Sequence, residues 1–203
     1  MNSKEQIEAI ILAAGYSSRA HDFKMTLKLG NLSVLEHTLS KFEGICNRVI
    51  VVGGYQWEKI AEIVSQIQES KKYSMEIKVV FNKNFGEGMF SSIQRGCREV
   101  QAPAFFVTPG DCPVVNKGTI RKLATEQVHV VIPSYLYKGG HPIKLTNVVK
   151  MKILEAEVNS NLRQILETCE KHYVNVADPG ILLDIDTLED YKKVTKYFIK
   201  SLK

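Results

Sequence analysis

The chain reads as an α/β protein: a three-layer αβα arrangement around a mostly parallel, Rossmann-like sheet. Three observations predict this. Short runs rich in Val, Ile and Phe are mostly apolar, as strands covered on both faces are, rather than regularly alternating apolar with polar residues. Between them lie stretches with apolar residues at three- to four-residue spacing, the pattern of amphipathic helices. At 203 residues the chain is long enough to bury a sizeable core in one domain.

Strands are expected at residues 7–12, 48–52, 77–81, 104–108 and 129–133, and helices at 34–42, 57–68, 89–100 and 116–125. Each crossover between parallel strands should be right-handed, and ligands of such sheets bind beyond the carboxyl ends of the strands. Residues 13–24, Gly53-Gly54, 82–92 and 109–113 then share one rim. After Pro133 the pattern changes. Residues 134–145 read as an antiparallel hairpin of two short strands around a Gly139-Gly140 turn. Helices at 148–155 and 161–169, a strand at 173–176 and a last helix from Thr187 follow. With no repeat, low-complexity tract or linker, residues 1–203 are expected to form one domain.

Composition narrows the class. Hydrophobic residues make up 44% and charged residues 24%, ordinary for a globular protein, and the net charge of +5 leans mildly toward anionic ligands. The lysines are dispersed apart from a tail of Lys192, Lys193, Lys196, Lys200 and Lys203, which reads as a solvated helix face. No motif or concentrated basic face supports nucleic-acid binding. Cys46, Cys97, Cys112 and Cys169 have neither paired spacing nor companion histidines, so reduced thiols in a cytoplasmic protein are expected. No apolar run suits a signal peptide or a membrane span.

Four stretches carry candidate chemistry. Leu12-Ala13-Ala14-Gly15-Tyr16-Ser17-Ser18-Arg19 follows the first strand, with Lys24 five residues on. It is neither a P-loop nor G-x-G-x-x-G. Its small residues expose backbone amides, Arg19 offers a bidentate phosphate contact and Lys24 a point charge; the alternative is a surface loop with incidental basic residues. Pro109-Gly110-Asp111-Cys112-Pro113 sets a carboxylate suited to Mg²⁺ directly after a buried strand, unless Asp111 only closes its own turn. In Asp184-Ile185-Asp186-Thr187-Leu188-Glu189-Asp190, one of the two leading carboxylates is expected to cap the helix, with Thr187 also suited, leaving the other to share a metal with Asp111. In Asn82-Lys83-Asn84-Phe85-Gly86-Glu87-Gly88-Met89-Phe90-Ser91-Ser92, glycines and serines open a helix, as a ligand loop or as an ordinary connection. Cys112 reads as a small buried hydrophobe.

Taken in order with Gly140-His141-Pro142, these residues resemble the MobA-like nucleotidyltransferases over nearly the whole chain, and most nearly the molybdenum cofactor cytidylyltransferase branch, which serves molybdenum hydroxylases. The resemblance implies a sheet of the nucleotide-diphospho-sugar transferase type, with a nucleoside triphosphate and Mg²⁺ on the rim. It implies transfer of a nucleoside monophosphate to the phosphate of molybdopterin with release of pyrophosphate. The Ala-Ala-Gly run favours CTP. Leu12, Ala13, Ala14 and Gly15 would hold base and ribose through backbone groups. Ser17, Ser18, Asn82, Ser91, Ser92 and Gly110 would lie near the nucleotide. Arg19, Lys24 and Asp111 would carry catalysis, and Asp111 with Asp184 or Asp186 would hold the metal. Gly140, His141 and Arg163 would face the acceptor, and a molybdenum hydroxylase apoenzyme is an implied partner. The chain departs from the family pattern at Ala20-His21, where Met-Gly is usual, and at Phe23, Met25 and Leu188. A sugar- or polyol-phosphate cytidylyltransferase and a non-catalytic carrier of the cofactor are the alternatives.

Overall fold

A computed structural model describes residues 6–16, 24–157 and 159–201. Its centre is an eight-stranded sheet. Strands β1 (Ile7–Ala13), β4 (Arg48–Gly53), β5 (Glu76–Phe81) and β6 (Ala104–Pro109) run parallel in the order β6-β1-β4-β5. Beyond β6 lie β9 (Ile143–Thr146), antiparallel to its neighbours, then β7 (Val130–Tyr135) and, parallel to it, the edge strand β10 (His172–Asn175). A two-residue strand β8 (Lys138–Gly139) folds back on β7. The chain builds outward from β1 through β4 and β5, then returns to its other side with β6. That reversal makes β1 a topological switch point, where the crevice at the carboxyl ends is open to a ligand.

The expected alternation of strands and helices is observed, and the core explains it. All of β1 is buried, its residues alternating between two apolar clusters. Ala9, Ile11 and Ala13 face α1 (Val34–Ser40), α2 (Trp57–Glu69) and α4 (Lys117–Ala124). Ile10 and Leu12 face α3 (Met89–Cys97), α5 (Asn147–Glu155) and α6 (Leu162–Glu167). A third cluster seats the final helix α7 (Leu188–Ser201) through Val194 on Leu29, Val34, Val114 and Ile185. Leu29 belongs to a small two-stranded ladder, β2 (Lys28–Leu29) with β3 (Leu32–Ser33), too short to leave a periodic signal. Among the described residues no helix is long and apolar enough to cross a membrane.

Two expectations fail locally. The hairpin does not turn at Gly139-Gly140. Tyr135 pairs with Lys138, so the turn residues are Leu136 and Tyr137, both in the left-handed region at φ 48° and 64°. Gly140 serves another need: a Cβ there would sit 2.2 Å from the carbonyl oxygen of Ile181. Nor does Asp184 or Asp186 cap α7. Thr187 Oγ1 accepts from the Asp190 N–H at 3.1 Å, and Asp190 Oδ2 accepts from both the N–H and the hydroxyl of Thr187. This reciprocal cap satisfies the helix start and leaves both upstream carboxylates for other work.

Candidate active site

A cavity of about 360 Å³ opens on the rim at the switch point. A larger groove of about 530 Å³ lies by α1 and α2, but Lys28, Lys59 and Lys72 alternate there with Glu36 and Glu62, and Lys72 pairs with Glu36 at 3.1 Å, so charge does not converge. The rim cavity is different because its charge sits at one end. The strands end in the order β6, β1, β4, β5, and at about 4.8 Å per strand the loops after β6 and β5 stand roughly 14 Å apart.

The charged end lies after β6. Asp111 is 5% exposed at its side chain and follows β6 by two residues. Lys24 opens a short 3-10 turn, Lys24–Thr26, and its Nζ lies 2.5 Å from Asp111 Oδ2 and 3.0 Å from Asp186 Oδ1. Burial alone would lower the pKa of this lysine, but the carboxylates of Asp111 and Asp186 outweigh it and hold the ammonium above its ordinary range. Asp184 stands on the same wall, and burial, then the charges of Asp111 and Asp186, push its pKa up. Burial, followed by Asp111 and Asp184, drives the thiol of Cys112 far above the usual cysteine range, which confirms it as an inert hydrophobe.

Among the described residues, the Lys24 ammonium therefore bridges two carboxylates with a third, Asp184, close enough to feel them, and Asp111 Oδ1 is buried without a hydrogen-bond partner. An orphaned carboxylate oxygen beside a second carboxylate of raised pKa is a site short of positive charge, and hard oxygen donors of this kind fit Mg²⁺. Among the described residues no group of three or more side chains could hold a metal alone. Mg²⁺ commonly takes one or two carboxylates and completes its shell with substrate phosphates and water.

Among the described residues, the opposite end is lined by uncharged side chains and backbone groups. Ala14, Gly15 and Tyr16 come from the loop after β1, and Phe85, Gly86, Gly88 and Met89 from the loop after β5. The glycine at position 54 makes this end possible, since a Cβ there would lie 2.5 Å from that of Phe85 and 2.8 Å from that of Ala14. Gly88 starts α3 at φ 96° and provides no side-chain cap, so the first N–H groups of the helix point outward uncapped.

The structure sorts the expected residues. Leu12, Ala14, Gly15, Lys24, Ser92, Asp111, Asp184 and Asp186 all line the cavity. Ala13 does not: it is fully buried and pairs with Gly53. Gly110 lies just outside, its N–H donating to Leu12 O at 2.8 Å and its carbonyl accepting from Thr38 at 2.9 Å. Asn82 and Ser91 are one layer back. Asn82 Nδ2 donates to both Ser91 Oγ and Ser92 Oγ at 2.9 Å, and Ser91 donates onward to the carbonyls of Asn84 and Gly88. They hold the loop in shape and present only Ser92.

Gly140 and His141 also sit behind the wall. The His141 N–H donates to Ile181 O at 3.0 Å, and its buried ring lies near enough to Asp184 to feel its charge, although burial dominates and lowers its pKa. Arg163 is not brought to the site: it is 89% exposed on α6 and pairs with Glu167 one helical turn away. Ser17, Ser18 and Arg19, with the divergent Ala20-His21, lie outside the described residues. Tyr16, Tyr55 and Phe85 were not singled out from sequence, although an aromatic residue in each of three rim loops was visible there.

An open, mostly parallel sheet with a cavity at its switch point, carboxylates and a lysine at one end and, among the described residues, uncharged side chains at the other, has the form of an α/β nucleotidyltransferase. The same fold occurs in a nucleotidyl transferase from Methanothermobacter thermautotroptrophicus, with a TM-score of 0.81 at 21% identity over 97% of this chain and 99% of that one. The model of the MobA-like NTP transferase domain matches residues 9–176, and the chain belongs to that family. It is 27% identical to the molybdenum cofactor cytidylyltransferase of Escherichia coli (strain K12) over 186 residues, 91% of this chain and 93% of the relative. It is 22% identical to a probable molybdenum cofactor guanylyltransferase of Carboxydothermus hydrogenoformans over 207 residues, covering 96% and 98%.

Proposed function

We propose that the protein transfers CMP from CTP to the phosphate of a molybdopterin-type acceptor, releasing pyrophosphate, in the cytoplasm and with Mg²⁺ as its metal. The observation that carries this is the Lys24 bridge between Asp111 and Asp186, beside an unpartnered Asp111 oxygen: a carboxylate cluster that would meet a polyphosphate through a divalent cation, with an ammonium alongside. The similarity to a molybdenum cofactor cytidylyltransferase supports the acceptor, and its higher identity than that of the guanylyltransferase relative supports CTP, as does Ala13-Ala14-Gly15.

The chemistry asked of the chain is modest. The acceptor phosphate is already a nucleophile, so the reaction needs no general base. The residues act by positioning and by fixed charge. Lys24, and Arg19 by resemblance, would hold the phosphates in line with the incoming acceptor oxygen and neutralise charge as it develops. The Ala14-Gly15 backbone and the α3 amino end, kept in shape by Asn82 and Ser91, would fix the nucleoside. Asp111, Asp184 and Asp186 are the residues that would hold Mg²⁺, which when bound would supply charge neutralisation at the phosphates. A molybdenum hydroxylase apoenzyme would receive the product.

The test is pyrophosphate release with CTP, GTP or ATP, each with molybdopterin and with or without Mg²⁺. Metal-dependent release with CTP is expected. No release with any triphosphate, from protein shown to be folded, overturns the proposal. A CTP-specific thermal shift is a second readout, about 2.7 kcal/mol of stabilisation at 100 times the dissociation constant.

A further inference from the structure

We propose that Tyr16 is a specificity-determining residue, an aromatic partition that limits the depth of the base end and shuts out two-ring bases. The proposal rests on the nucleotidyltransferase reading above and adds to it a residue that the small Ala-Ala-Gly run does not include.

The loop after β6 holds the charges, so the phosphates of a bound triphosphate belong there and its base belongs over β4 and β5. At that end the groups with bulk are Tyr16, Phe85 and Met89. Tyr16 is 58% exposed, yet its ring is pinned from two sides. Its centroid lies 5.0 Å from that of Tyr55, on the loop after β4, and 5.6 Å from that of Phe85, on the loop after β5, tilted to each. Tilted aromatic contacts at such distances are attractive. The backing is itself rigid, because Phe85 is wedged over Gly54 and Ala14 with no room for a single added carbon at position 54. An exposed ring held against a fixed wall behaves as part of that wall. The Tyr16 hydroxyl reaches over Gly86, 4.0 Å from where a Cβ would stand, and has no hydrogen-bond partner among the described residues. Ring and hydroxyl thus have separable roles, the ring as a limit on size and the hydroxyl as a contact for a polar base edge.

The experiment compares kcat/KM for CTP and GTP in wild type, Tyr16→Ala and Tyr16→Phe, with melting curves to verify folding. Binding without turnover is read from the fluorescence of the single tryptophan, Trp57, which packs against Gly53 at the end of β4. Wild type should prefer CTP. Tyr16→Ala should lower the CTP-to-GTP ratio by about tenfold or more, with GTP binding tightened, and Tyr16→Phe should keep most of the preference. An unchanged ratio in a folded Tyr16→Ala overturns this proposal while leaving the transferase reading intact, and a wild type that prefers GTP overturns it together with the CTP assignment. Absence of turnover by wild type with every triphosphate overturns the proposal and the transferase reading alike.

Discussion

The ammonium of Lys24 lies 2.5 Å from the carboxylate of Asp111, 87 residues away in the chain, and also reaches Asp186 at 3.0 Å. One cation thus ties the turn after β6 to the segment that leads into α7.

Lys24→Ala should cost both stability and activity. A hydrogen bond between charged groups contributes about 1.5–3 kcal/mol, and Asp111 would be left buried without a counter-charge. Turnover should fall about 100-fold or more, as when one donor to developing charge is lost. The folded protein holds the Lys24 proton more tightly than the unfolded chain does. Its contribution is therefore full below the ordinary lysine value of 10.5 and lost as pH rises through the folded value. Adding Asp111→Asn to Lys24→Ala should restore stability without restoring turnover. Urea melts of both variants check this, and the idea fails if the second change destabilises further.

Asp184→Asn should separate stability from activity in the opposite sense. Burial and the neighbouring carboxylates raise the pKa of Asp184 above its unfolded value of 3.8. The native state then binds the proton more readily, and native stability falls as pH rises from 3.8 through the folded value. At neutral pH the charged group is a penalty, which the amide removes. The melting temperature should rise, at about 2–4 °C for each kcal/mol of relieved repulsion, and the gain should vanish in acid. Metal-dependent turnover should drop in the same variant. A melting temperature unchanged at pH 7 would falsify this account of Asp184.

Asn82→Ala should act through the loop rather than on the ligand. Asn82 is 3% exposed, and its amide is the shared donor to Ser91 and Ser92. Removing it leaves buried hydroxyls short of a partner, at about 1–3 kcal/mol. A rise in KM for the triphosphate should accompany the lost stability. Asn82→Asp, which keeps the shape but loses the donors, should behave similarly, and steady-state kinetics against melting curves would distinguish this from simple unfolding.

Much of the architecture was legible because its cause is local. The strands β1, β4 and β6 are largely apolar runs, and a strand buried on both faces needs that composition, whereas the edge strand β5 keeps Glu76 and Lys78. Asp111, Asp184 and Asp186 were visible as carboxylates just after apolar runs, with turn closure and helix capping as competing readings, and the structure brings all three to one cavity wall. What stayed hidden depends on contacts distant in sequence. Gly140 looks like a turn glycine until Ile181 is placed against it, and Thr187 outcompetes Asp186 for the cap only once Asp190 closes back on it. Arg163 matches the family pattern, but α6 packs on α5 and turns it to solvent beside Glu167. The pinning of Tyr16 requires three loops from three strands to meet, which no single stretch of sequence records.

Leu136 and Tyr137 are the least expected turn residues in the chain. Both occupy the left-handed region in a two-residue hairpin between Tyr135 and Lys138, the pattern of a type I′ turn, which Asn-Gly suits and bulky L-residues resist. The left-handed region costs an ordinary L-residue about 1–2 kcal/mol, less for Asn and nothing for Gly. Nothing in packing offsets that cost, since Leu136 is 72% and Tyr137 99% exposed. The double change Leu136→Asn, Tyr137→Gly should therefore stabilise the protein, by about 1 kcal/mol once the greater freedom of glycine in the unfolded chain is subtracted. In a chain of this size that is a rise of about 2–4 °C in melting temperature. Transferase activity should stay unchanged, because the turn lies outside the residues that line the cavity. Leu136→Ala with Tyr137→Ala serves as the control: it trims the same exposed bulk but keeps the strained backbone, so it should gain little. If the alanine pair stabilises as much as Asn-Gly, exposed apolar surface and not backbone strain is what the native turn costs.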